Sequence, residues 1–119
     1  MKTDRVYLLH VRDAIERIRS YTTAGREGFL TDCKTQDAVI RNFEIIGEAV
    51  KQVTQSTLDR QPDVPWKQIA GLRDVLIHHY FGVKLDAIWK VVESNLEPLT
   101  VAVSDLLASS LPGDEATLT

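Results

Sequence analysis

Apolar residues recur along this chain at helical steps. Leu8, Val11, Ile15 and Ile18 are spaced by three, four and three, which puts them on one face of a helix of about 3.6 residues per turn. Thr3 or Asp4 can cap its start, and the stripe predicts a first helix ending near Tyr21. The following stretch TTAGREGFLTDCK holds two glycines and no sustained period, so it is expected to be a loop before a helix capped near Thr31 or Thr35. That helix carries Val39, Phe43, Ile46, Val50 and Val53 as its stripe. Pro62 and Pro65 interrupt the pattern, and Pro65 suits the first turn of a short helix holding Trp66 and Ile69. LRDVLIHHYF at 72–81 reads as a further helix, broken by Gly82. The last stripe runs through Leu85, Ile88 or Trp89, Val92, Leu96, Leu99, Val103 and Leu106, as one long helix or two, with a kink expected between Ser94 and Glu97 because of Pro98.

No convincing strand alternation accompanies these stripes, so the expected fold is all-α, an antiparallel helical bundle. A chain of 119 residues suits one core, assigned to residues 1–110. The polar end at 111–119, broken by Pro112 and Gly113, is expected to fray. The composition, 44% hydrophobic and 26% charged, fits a folded globular chain. No apolar run reaches the roughly 20 residues of a membrane span, and no signal-peptide core forms at the N-terminus, so the expected location is the cytoplasm, away from membranes.

Charge and sulfur narrow the chemistry. Cys33 is the single cysteine, which excludes an internal disulfide and a thiolate zinc cluster. A net charge of -3 argues against a general nucleic-acid binder, which would carry a basic surplus to displace phosphate counterions. The charge is unevenly spread, however. Lys2, Arg5, Arg12, Arg17, Arg19 and Arg26 face only Asp4, Asp13 and Glu16 within residues 1–26, whereas residues 81–119 hold two lysines against six acids. A solvated helix face is the default reading of the first cluster, and a phosphate-binding edge is the alternative.

One polar run stands in an otherwise apolar helix: Arg73, Asp74, His78, His79 and Tyr80. His78 and His79 are adjacent, about 100° apart around a helix, and are poorly placed to share a metal ion. Without a metal, RNA cleavage needs a base for the ribose 2'-hydroxyl, a cation for charge building on phosphorus, and an acid for the leaving oxygen. Histidine can move protons near neutral pH, and the arginine fork matches two phosphate oxygens. Asp74 and His78 are neighbours at i and i+4, so the carboxylate can orient the imidazole. Arg73 and His78 lie about 140° apart on an ideal helix, which one helix serves poorly. A twofold dimer would pool two arginines and two histidines in one groove. The plain alternative is that these side chains satisfy carbonyls and offset the dipole at a helix end. Trp66 and Trp89, both on apolar periods, are expected in the core rather than as platforms for bases.

RNFEIIGEAVKQV at 41–53, PWKQIAGLRDVLIHHYFGV at 65–83 and the following IWKVVESNLEPL resemble the HepT-like toxins of the HEPN group of helical ribonucleases, in the same order from about residue 4 to 107. The resemblance implies a toxin of a type VII-like toxin-antitoxin system: an endoribonuclease that uses no metal or other cofactor and works as a homodimer with its motif at the interface. By position the family's arginine, histidine and tyrosine fall on Arg73, His78 and Tyr80, with Asp74 in the polar position after the arginine. It further implies a small nucleotidyltransferase antitoxin of the MNT type that transfers AMP from ATP to Tyr80. RNA is the implied substrate, with tRNA and mRNA as candidates. A non-catalytic helical module that binds the nucleotidyltransferase and presents nucleotide or RNA is the competing reading.

Overall fold

The computed structural model describes residues 3–72, 74, 76 and 84–114. Among them the regular elements are helices: α1 (Asp4–Tyr21), α2 (Gly25–Thr31), α3 (Cys33–Gln52), α4 (Gln55–Leu58), α5 (Trp66–Ala70), α6 (Leu85–Ser94) and α7 (Leu96–Leu107). The chain is therefore all-α, as the apolar periods imply.

α1 buries Leu8, Val11, Ile15 and Ile18, each at most 2% exposed. Removing such side chains from water supplies roughly 1.5–3 kcal/mol apiece, and the partner stripe on α3, Val39, Phe43, Ile46 and Val50, is buried with it. The two helices run antiparallel. Asp4 at the start of α1 meets Thr54 just beyond α3, and Arg17 near its end donates to Asn42 Oδ1 at 2.9 Å. α7 is antiparallel to α1 as well, since Arg5 reaches the Leu107 carbonyl and Arg19 reaches Glu97 and Thr100.

Two short helices were not expected. α2 occupies the stretch read as a loop: Gly25 turns the chain at φ 76°, a conformation that strains other residues, and Phe29 then packs on Trp89 with ring centroids 5.6 Å apart. Seven residues with a single buried side chain offer no period to read. The α3 cap also differs. It is Asp32, whose carboxylate accepts from the Lys34 amide and the Thr35 hydroxyl, rather than Thr31 or Thr35 itself. α4 is one turn long and is capped from a distant helix: Asp4, 6% exposed, accepts from the Thr54 amide, the Thr54 hydroxyl and the Thr57 hydroxyl at 3.0, 3.0 and 2.6 Å. Asp4 thus satisfies donors at the end of α3 and in α4 instead of its own helix.

The long apolar pattern at the C-terminal end is two helices. The break falls at Asn95, within the span anticipated from Pro98, which has no N–H to offer the preceding turn. The stripe continues across it through buried Ile88, Leu96, Leu99, Val103 and Leu106. No described helix is long and apolar enough to cross a membrane.

Beyond α7 the expected fraying has not begun by Asp114. Leu111 is 3% exposed, and Arg5 binds both oxygens of Asp114 at 3.0 and 2.8 Å while also donating to the Leu107 and Ser109 carbonyls. This guanidinium, together with the Leu111 amide, lowers the Asp114 carboxyl from 3.8 to about 2. A depressed carboxylate pKa stabilises the fold above the unfolded value and ceases to do so as pH falls through the folded one. In urea titrations, the stability difference between the native chain and Asp114→Asn is therefore expected to be constant above about pH 5 and to shrink as pH falls from about 4 toward 2. A difference unchanged down to pH 2 would show that the contact does not depend on ionised Asp114.

Candidate functional site

The polar run follows directly from α5. Trp66 is buried and donates its indole N–H to the Gln61 carbonyl at 3.0 Å, and Pro65 is the cap residue, one position ahead of the first turn it was expected to occupy. After Gly71 the chain is helical at Leu72, Asp74 and Leu76, and Leu76 is 6% exposed. Leu76 therefore joins the core while Asp74 is exposed to solvent. Arg73, His78 and Tyr80, the remaining assigned residues, lie outside the described residues, as do His79 and Gly82.

Asp74 has a partner that spacing alone did not suggest. Its Oδ2 lies 3.2 Å from Nζ of Lys51, in the last turn of α3. The two side chains are 53% and 34% exposed, so the pair is worth about 0–1 kcal/mol and acts mainly to position. It ties the first turn of the polar helix to the end of α3 and places a cation beside the carboxylate. Lys51 is the residue that sequence reasoning missed. It lies off the apolar stripe, and only the fold brings positions 51 and 74 together.

The N-terminal arginines are committed within the molecule. Arg5 binds Asp114, Arg12 pairs with Asp13, Arg17 bonds Asn42, Arg19 pairs with Glu97, and Arg26 pairs with Asp86. Lys2, the remaining base of that cluster, lies outside the described residues. Cys33 is exposed at the start of α3. Trp66 and Trp89 pack with the core, as their periods implied. Among the described residues no three His, Cys, Asp or Glu side chains gather as a metal set.

Comparison with known proteins adds to this geometry. The family profile described as "Ribonuclease HepT-like" matches residues 11–106, a span that includes α3, α5 and the whole polar run. A protein of Thermococcus cleftensis named "Probable ribonuclease HepT" is 42% identical over 82% of this chain and 90% of its own. A protein of Caldanaerobacter subterraneus, provisionally named an RNase, is 40% identical over 90% of this chain and 96% of its own. Another with a provisional RNase name, from Methanocaldococcus jannaschii, is 45% identical over 76% of each chain. No solved structure gives a significant match.

Proposed function

The chain belongs to the HepT-like ribonuclease family, and from that premise we propose that it is a metal-independent endoribonuclease with Arg73, His78 and Asp74 at its active site. The observation that carries the reading is the intact run Arg73, Asp74, His78 and Tyr80 inside the matched span, on a segment whose helical Asp74 is fastened to α3 through Lys51. His78 exchanges protons with the ribose 2'-hydroxyl and the leaving oxygen. Arg73 neutralises charge on the phosphorane, and Asp74 orients the imidazole. Attack by the 2'-oxygen requires no activated water in the first step, so the products are a 2',3'-cyclic phosphate and a 5'-hydroxyl.

Two further parts belong to this proposal. The chain works as a homodimer that pools two copies of the arginine and histidine, because one helix spreads them too widely around its axis. It is the toxin of a pair whose nucleotidyltransferase antitoxin silences it by adding AMP to Tyr80. Incubating the purified chain with RNA in excess chelator tests the core of the reading. Cleavage is expected to persist, with cyclic phosphate ends found by mass spectrometry. Loss of cleavage in chelator with recovery in magnesium, or 5'-phosphate ends, would overturn the metal-free route. Intact RNA together with tight binding of the nucleotidyltransferase would favour the non-catalytic module.

A further inference from the structure

A groove of about 470 Å³ runs between α1 and α3, away from the packed stripe. Tyr7 and His10 form its wall on the α1 side, with ring centroids 6.2 Å apart and planes at 88°. Ile45 and Ala49 give it an apolar strip on α3, and Gln52, the last residue of that helix, completes its lining. Its charged lining is Arg41, Glu44 and Glu48.

Glu44 is the unusual member. Its side chain is only 18% exposed, yet the partner found for it among the described residues is Arg41, at 3.4 Å and itself 69% exposed. A carboxylate withdrawn that far from water and held by one long contact is poised to accept hydrogen bonds from something that enters the groove. Aromatic rings and aliphatic groups beside it favour a flat body with a π face, and the size is that of a small-molecule pocket.

We propose that this groove is a guanine-binding subsite for RNA, in which Glu44 reads the base; the inference rests on the ribonuclease reading of the chain. Guanine carries two adjacent donors on its Watson–Crick edge, N1–H and the N2 amino group, which match the two oxygens of one carboxylate. Adenine and cytosine set a ring acceptor beside their amino group, and uracil flanks its single N–H with carbonyls, so each turns at least one lone pair toward the carboxylate. Single-stranded RNA is read in this way, by stacking unpaired bases on aromatic side chains and bonding their edges. Arg41, at the exposed rim, is placed to meet the attached phosphate and offsets the two carboxylates there.

The test is a titration of the intact chain with 5'-GMP, 5'-AMP, 5'-CMP and 5'-UMP, followed through backbone amide resonances. The expected result is that GMP shifts Tyr7, His10 and Gln52 and binds about tenfold or more tighter than the others. Glu44→Gln, which keeps the side-chain shape but replaces one acceptor by a donor, is expected to reduce that preference to about twofold or less at unchanged helix content. Equal binding of the four nucleotides, no binding of GMP, shifts confined to other faces, or a preference surviving in Glu44→Gln would each overturn the subsite. Cleavage assays separate this outcome from that of the parent reading. RNA cut without regard to guanine removes the subsite and leaves the ribonuclease, whereas GMP bound here by a chain that cuts no RNA leaves the subsite and removes the ribonuclease.

Discussion

Replacing His78 with alanine is expected to lower the rate of RNA cleavage by roughly 100- to 10,000-fold, the usual range for a positioned acid-base group. The loss should appear in kcat rather than KM, because the imidazole acts on protons that move in the transition state while phosphate contacts hold the substrate in both states. In the proposed mechanism Asp74 bears on the same step. Anchored to Lys51 at 3.2 Å, it belongs to a turn held in place before substrate arrives, so removing its charge should cost less than removing the proton carrier itself. The measurement is single-turnover cleavage of a labelled RNA by the native chain and by His78→Ala, with circular dichroism to confirm equal helix content. A variant that cleaves within about threefold of the native rate would falsify the assigned acid-base role.

The cognate nucleotidyltransferase, supplied with ATP and a divalent ion, is expected to modify Tyr80 and abolish cleavage. Tyr80 is seven residues from Arg73, close to two turns of an ideal helix, a spacing that would set a group added there on nearly the same face as the arginine. Adenylation joins the phenol oxygen to the α-phosphorus of ATP with loss of pyrophosphate, and it leaves a negative phosphodiester and a bulky nucleoside. That charge repels RNA phosphate, and Arg73 can pair with it and so be withdrawn from the reaction. Tyr80→Phe is expected to retain measurable cleavage and to escape covalent silencing. Peptide mass spectrometry beside an RNase assay decides the matter. Adenylate on another residue, or on Tyr80 with cleavage undiminished, removes this form of control.

The long helices were legible because each repeats its apolar residues often enough to define a face. Leu8, Val11, Ile15 and Ile18 show about three turns of it, and the α3 stripe is longer still. Pro98 announced the α6 to α7 break for a chemical reason, its missing N–H. The short elements were hidden for the opposite reason. α4 exists because Asp4, some fifty residues away in the chain, caps it, and α2 exists because Phe29 finds Trp89. Residues 111–114 were expected to fray because their polar composition was the only local information, while Arg5 was the distant partner that docks Asp114. For the candidate site the division is similar. Asp74 could be named from its place in the polar run, and the structure finds it helical and exposed. Lys51 and the Tyr7, His10 and Glu44 groove could not, since each depends on which helices pack side by side.

The contact between Arg5 and Asp114 also ties the opening and closing motions of the bundle together. One guanidinium spans the start of α1, the last carbonyl of α7 and the turn after it, so neither the start of α1 nor that turn can peel away without breaking the same set of hydrogen bonds. The Leu111 amide, which donates to Asp114 at 2.8 Å, should accordingly exchange its hydrogen at a rate set by release of the first turn of α1, slower than a surface turn of its length would suggest.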